Sequence, residues 1–76
     1  MERRIDTKHI REGIAELVNE TMKERGLSIY RMAIDCQCNK ANIRKMMNAQ
    51  GYHVDSLGTV LDTLGYDIVI VKKGDR

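Results

Sequence analysis

The chain has no Trp, no Phe and no Pro, and its aromatic residues are three Tyr. Its core must therefore come mainly from Ile, Leu, Val, Met and Ala, and it lacks the residue that breaks helices most strongly. No run of apolar residues approaches the ~18 that a membrane-spanning helix needs. These absences predict a mostly helical domain with no membrane partner.

Cysteine is also scarce, because Cys36 and Cys38 are the two in the chain. Two are too few for a four-ligand zinc site, and their one-residue separation differs from the usual spacing of about two to four. The first 25 residues are highly charged and contain no signal-peptide core. We therefore expect a cytoplasmic protein with reduced, packing cysteines, no metal and no cofactor.

A chain of 76 residues is enough for one small domain, here taken as residues 1–76. Its net charge of +2 is unevenly distributed. Residues 1–25 contain six basic and six acidic side chains, whereas residues 26–54 contain four basic side chains against Asp35 alone. The surplus positive charge therefore lies in the middle third, which suggests an acidic partner for that part of the chain.

The apolar spacing predicts a first helix over 8–25, a helix-turn-helix over 28–49 and a last helix over 55–64. Gly26 and Gly65 are expected to end the first and last helices in the left-handed conformation. Ser28 and Asn39 are expected to cap the two helices of the middle unit, the first running through Cys36 and the second to about Ala49. The first helix can be capped by Asp6 or Thr7, and the last helix by His53 or Asp55.

The C-terminal segment is expected to form a strand over 66–72. Its centre is a run of four β-branched residues, which favour strand over helix: Ile68, Val69, Ile70 and Val71. Both faces of such a strand are apolar, and no second strand is expected in the chain. The same strand of another copy is the expected partner, which predicts a homodimer; the alternative is a strand lying unpaired across its own helices.

The middle unit has small or apolar residues where two steeply crossing helices would touch. These residues are Met32, Ala33, Cys36, Cys38, Ile43 and Met46. The three tyrosines, Tyr30, Tyr52 and Tyr66, are expected at the edge of the core.

The segment LSIYRMAIDCQCNKANIRKMMN resembles the helix-turn-helix of the phage-repressor and Cro-like family, often called Xre-type. Leu27-Ser28 and Ala33 match its pattern, while Cys38, Ile43 and Met46 stand where Val, Ile and Leu are usual. The segment VDSLGTVLDTLG looks like the family's last helix, so the resemblance covers residues 27–65 without an insertion.

Two positions depart from the family pattern. Ile29 replaces a Gln that usually contacts phosphate. Gln37 replaces the Gly of the turn, so the resemblance implies that Gln37 adopts a positive φ at some cost. The apolar segment after Gly65 is similar to that of family members, antitoxins among them, that dimerise through a C-terminal strand. The fold that the resemblance implies is a repressor-like, four- to five-helix domain, mostly α, with a short C-terminal β-strand.

The second helix of the motif would present a polar, basic face to double-stranded DNA. On a helical wheel, Ala41, Arg44, Lys45 and Asn48 lie opposite Ile43. The resemblance assigns base reading to Lys40, Ala41, Arg44 and Lys45. The full DNA-binding set expected is Ser28, Arg31, Asn39, Lys40, Ala41, Asn42, Arg44, Lys45 and Asn48.

The leading hypothesis is a homodimeric, sequence-specific transcriptional repressor that binds a palindromic operator. The alternative is an antitoxin or other module of this fold that acts mainly through a toxin or another protein partner. A third hypothesis is a helix-turn-helix that no longer binds DNA, which predicts no salt-dependent affinity for any DNA. An enzyme is not expected, because the sequence contains no phosphate-loop pattern and a small helical chain has little room for a catalytic pocket.

Overall fold

The computed structural model of the chain describes residues 2–74, and this range is mostly helical. It contains four α-helices and one preceding turn of 3₁₀-helix at Thr7–His9. The α-helices are α1 (Ile10–Arg25), α2 (Ile29–Cys36), α3 (Lys40–Met47) and α4 (Val54–Leu64). The mostly helical class predicted from composition is confirmed.

Helix α1 begins two residues later than predicted and ends where predicted. The Asp6 carboxylate accepts a hydrogen bond of 2.9 Å from the Lys8 backbone N–H, and this cap initiates the 3₁₀ turn rather than an α-helical one. At the other end Gly26 has φ 64°, and the next amide, that of Leu27, donates to the Met22 carbonyl at 2.8 Å. Gly26 thus provides the left-handed stop that the sequence predicts.

The core lies between all four helices and is built from aliphatic and sulfur-containing side chains. It consists of Ile14, Leu17, Val18, Met22, Met32, Cys36, Ile43, Met46, Leu57, Val60, Leu61 and Leu64. Helix α3 packs against both α1 and α2, and α2 also packs against α4. The recognition-helix candidate α3 is therefore supported from two sides, which fixes the direction of its exposed face.

The N-terminal residues lie along α1. Ile5 is partly buried against the core and occupies the space beside Gly13, where a Cβ atom would collide with it. Arg3 forms an ion pair with Glu20, further along the same helix. This segment therefore covers part of α1 and leaves α3 uncovered.

No strand is seen in residues 2–74, so the strand over 66–72 stays a prediction that requires a second copy of the chain. A strand exists only where a neighbouring strand accepts and donates its backbone hydrogen bonds, and the described residues provide none. The side chains from Ile68 to Val71 are exposed, with Ile70 at 89%. These four side chains therefore gain little cover from the helices of the same chain.

Candidate nucleic-acid interface

Side-chain caps define the starts of both helices of the central motif. The Ser28 hydroxyl accepts a hydrogen bond of 3.0 Å from the Arg31 backbone N–H at the start of α2. The Asn39 side-chain oxygen accepts one of 2.9 Å from the Asn42 N–H at the start of α3. Both predicted caps are confirmed, and each is worth about 1 kcal/mol of helix stability.

The turn between α2 and α3 depends on Gln37. This residue has φ 53° and ψ 39°, the left-handed conformation. Its amide donates to the Ile34 carbonyl at 3.2 Å, and the Cys38 amide donates to the Ala33 carbonyl at 3.1 Å. The positive φ predicted for Gln37 is confirmed, and the two hydrogen bonds hold a conformation that costs an ordinary residue about 1–2 kcal/mol.

Helix α3 has one buried face and one exposed face. Ile43 and Met46 are completely buried, and the exposed side chains are Ala41, Arg44, Lys45 and Asn48. Asn42 is half-buried near the start of the helix. The division predicted from the helical wheel is therefore confirmed over these positions.

Helix α3 ends at Met47, two residues before the predicted end near Ala49. Ala49 adopts φ 58°, and the Gln50 amide donates to the Lys45 carbonyl at 2.8 Å. Alanine seldom occupies the left-handed region, so no local sequence signal marks this stop. The consequence is that Asn48 lies at the C-terminal cap of α3 rather than within the helix.

Tyr30, on α2, lies beside the first residue of α3. The Lys40 ammonium nitrogen is 4.9 Å from the centre of the Tyr30 ring, within the range of a cation–π contact. Tyr30 is 63% exposed, so its predicted place at the core edge is wrong, whereas Tyr52 and Tyr66 are partly buried against the core as predicted. Sequence reasoning missed Tyr30 because its neighbour Lys40 is ten positions away on another helix.

Arg31 is less free than the sequence suggests. Its Nε donates to the Asp35 carboxylate at 3.1 Å, one helical turn further along α2. The pair is solvent-exposed on the arginine side, and such pairs contribute about 0–1 kcal/mol. A phosphate group can therefore compete with Asp35 for the guanidinium at small cost.

Asn19 is a second residue that sequence reasoning missed. Its side-chain amide donates to the Met47 carbonyl at 2.9 Å and to the Ala15 carbonyl at 2.8 Å. The first bond joins α1 to the C-terminal end of α3. It helps to hold the candidate recognition helix against the rest of the domain.

The exposed face of α3 carries positive charge and no acidic residue. Between Cys36 and Val54 the sequence has no acidic residue, and its cations Lys40, Arg44 and Lys45 are all exposed. This face therefore suits a polyanion better than a face of mixed charge would.

The cysteines belong to the packing of the motif. Cys36 is buried and Cys38 half-buried, and both are free thiols. Burial raises the pKa of the Cys36 thiol, although a hydrogen bond with Thr63 acts in the opposite direction. Within residues 2–74 no three His, Cys, Asp or Glu side chains are grouped so as to hold a metal ion.

None of the helices described for residues 2–74 has the length and apolar content that a membrane crossing requires. No protein-family model matches the chain, and no curated protein sequence matches it significantly. The function proposed next therefore depends on the geometry and charge of α2 and α3.

Proposed function

We propose that the chain is a sequence-specific DNA-binding transcriptional regulator that binds a palindromic operator as a homodimer and represses by occupying it. The observation that carries this proposal is the face of α3. Three exposed cations, Lys40, Arg44 and Lys45, lie on a capped helix whose opposite face is anchored in the core through Ile43 and Met46. The resemblance of residues 27–65 to Xre-type helix-turn-helix domains supports the same conclusion.

The proposed mode of binding places α3 in the major groove of B-DNA. The groove admits an α-helix, and residues near the helix N-terminus reach the base edges. Lysine and arginine side chains donate to guanine O6 and N7, so Lys40, Arg44 and Lys45 would favour guanines in each half-site. The exposed methyl of Ala41 would contact a thymine methyl.

Phosphate contacts would come from the residues that flank this face. Asn42 and Asn48 have side-chain amides at the two ends of α3. Arg31 would reach a phosphate on the α2 side by exchanging Asp35 for it. Ser28 and Asn39 use their side-chain oxygens as caps, so their contribution is to aim the helix N-termini, whose free N–H groups favour anions.

The homodimer would form through the segment from Ile68 to Val71. Its four apolar side chains are exposed, and residues 66–73 have no regular secondary structure in the single chain. Pairing with the same segment of a second copy would provide hydrogen-bond partners for the backbone N–H and C=O groups and would cover the side chains. A two-fold dimer would present two α3 helices to half-sites about 34 Å apart.

The experiment that tests DNA binding begins with selection from random double-stranded DNA by the purified full chain. An enriched palindrome is expected, and its affinity is then measured for the wild type and for Arg44→Ala with Lys45→Ala over a series of salt concentrations. Each lost phosphate contact should lower the salt slope by about 1, and each lost bidentate base contact should cost about 1–3 kcal/mol.

Lys23→Ala is the matched control, because Lys23 is an exposed cation in the last turn of α1, outside the proposed interface. It should leave both affinity and salt slope near the wild-type values. Unchanged binding by the Arg44/Lys45 double variant would contradict the assignment of this face to DNA.

The second candidate function is a module that acts through a protein, as an antitoxin does through its toxin. The same exposed segment, Ile68 to Val71, favours it, because an apolar extended segment can add as a strand to the sheet edge of another protein. Random-DNA selection separates the two: absence of any enriched sequence and of salt-dependent binding would favour this second candidate.

A further inference from the structure

We infer that Tyr30 is a positioning residue for Lys40, and that the pair reads one guanine in each half-site of the operator. This inference rests on the DNA-binding function proposed above and adds to it a residue outside the recognition helix. The side chains involved come from two helices, and the turn between them brings the pair together.

The backbone fixes the placement of both residues. Tyr30 is the second residue of α2, two positions after its cap Ser28, and Lys40 is the first residue of α3, immediately after its cap Asn39. The caps order the backbone at these two positions, and the two side chains approach each other from there. The ammonium nitrogen lies 4.9 Å from the ring centre, and attraction to the face of an aromatic ring extends to about 6 Å.

The ring limits the freedom of a long side chain without consuming its hydrogen bonds. Lysine has four flexible methylene groups and three N–H donors, and immobilising it usually opposes binding. An ammonium over a π face directs part of its N–H groups at the ring and keeps the others for a base, and no salt bridge to Lys40 is formed within the described part of the chain. A pre-positioned donor loses less freedom when it meets guanine O6 and N7.

Tyr30 is exposed to an extent that a core role does not explain. Tyr30 is 63% exposed, whereas the other two tyrosines, Tyr52 and Tyr66, are partly buried against the core. Arg44 and Lys45, the other cations of the face, have no comparable aromatic neighbour among residues 2–74. The cation at the start of α3 is therefore distinguished from the two that follow it.

The test is a double-mutant cycle with the operator selected from random DNA by the wild-type chain. Tyr30→Leu should weaken binding about two- to five-fold, the range of an exposed cation–π contact, while Tyr30→Phe, which keeps the ring, should match the wild type. Lys40→Ala should weaken binding further, and Tyr30→Leu should add no loss when Lys40 is already Ala. Circular dichroism confirms that each variant folds.

The guanine is identified by replacing each operator guanine in turn with 7-deazaguanine, which lacks the N7 acceptor. One position should weaken binding by the wild type and by Tyr30→Phe but not by Lys40→Ala. Three outcomes would each overturn the inference while leaving the DNA-binding proposal intact. They are an additive double-mutant cycle, an equal loss of affinity in Tyr30→Phe and Tyr30→Leu, and the absence of such a guanine.

A readout in the free protein separates the two proposals. The ring current of Tyr30 should shift the Lys40 ε-methylene protons upfield in the NMR spectrum, and Tyr30→Leu should abolish that shift. Absence of the shift in the wild type would contradict the contact itself, whatever the protein binds. If the shift is present but selection enriches no DNA, the DNA-binding proposal fails, and the role inferred for the pair fails with it.

Discussion

The side-chain amide of Asn19 donates a hydrogen bond of 2.9 Å to the backbone carbonyl of Met47, the last residue of α3. Carbonyls at a helix C-terminus have no partner within the helix, and this one finds its partner on α1. The bond therefore completes α3 and joins it to α1 at the same point. The orientation of the proposed DNA-binding face therefore depends in part on a residue outside the helix-turn-helix.

Asn19→Asp should destabilise the fold at neutral pH. The new carboxylate cannot donate and would face two carbonyl oxygens, so we expect a loss of about 0.5–1.5 kcal/mol from the free energy of unfolding at this exposed position. Repulsion by those carbonyls raises the folded-state pKa of the new carboxyl, so the deficit relative to wild type should shrink on acidification. Urea unfolding of both proteins at pH 7 and pH 4 measures this difference in the free energy of unfolding.

Gln50→Glu is the control for that comparison, because Gln50 is exposed and the substitution adds the same charge close to α3. It should change the free energy of unfolding by less than about 0.5 kcal/mol. A loss in this control equal to that of Asn19→Asp would attribute the effect to general charge rather than to the bond with Met47.

Gln37→Gly should stabilise the protein. The position has φ 53°, which glycine adopts freely. Relief of the strain should add about 1 kcal/mol to the free energy of unfolding. The greater conformational entropy of glycine in the unfolded chain is expected to offset part of this gain. Gln37→Ala retains a Cβ and should give no gain. Thermal unfolding of the three proteins measures the effect, and equal stability of the Gly and Ala variants would show that φ is not the cause.

The two cysteines should differ in their reaction with iodoacetamide. Cys38 is half-buried and should be alkylated in the folded protein, whereas Cys36 is 2% exposed and should react only after unfolding in urea. Mass spectrometry of digested protein locates the label. Rapid alkylation of Cys36 in the native state would contradict its place in the core.

The pH dependence of stability should include a contribution from Cys36. Burial raises its pKa above the ordinary value of 9.0, so folding favours the neutral thiol. The corresponding stability is fully present below pH 9 and is lost as the pH rises through the folded-state value. The difference in free energy of unfolding between wild type and Cys36→Ala should therefore narrow above pH 9; a constant difference would exclude this contribution.

Ile70→Lys should convert the proposed dimer to a monomer without unfolding it. Ile70 is 89% exposed in the single chain, so the monomer loses no packing, while a charge within a pair of apolar strands is costly. Sedimentation equilibrium measures the association state, and Val54→Lys, at a residue 76% exposed on α4, is the matched control. A wild-type monomer, or a dimer in Ile70→Lys, would contradict the proposed interface.

A truncation that tests the same interface should end after Asp67 rather than after Gly65. The Tyr66 hydroxyl and the Thr21 hydroxyl lie 3.0 Å apart in a hydrogen bond, and the Tyr66 amide donates to the Leu61 carbonyl at 2.8 Å. A truncation that also removes Tyr66 would lower the stability of the monomer, so its effect on the dimer could not be separated from an effect on folding.

Features that depend on a few neighbouring residues were predictable from the sequence. Gly26 and Gly65 end their helices in the left-handed conformation, and Ser28 and Asn39 cap theirs, because each of these interactions spans no more than a turn or two. The stop at Ala49 was not predictable, since alanine has no intrinsic preference for a positive φ and tertiary contacts must impose it.

The sequence by itself determined four amphipathic helices, the side-chain caps of α2 and α3, and the exposed basic face of α3 opposite Ile43 and Met46. Helical periodicity and capping are local, so they can be read from spacing alone. Only the tertiary structure decided which side chains support that face: the Tyr30 ring beside Lys40 and the Asn19 amide on Met47. Such contacts join helices across the fold, and their geometry follows from how the helices pack rather than from any short stretch of sequence.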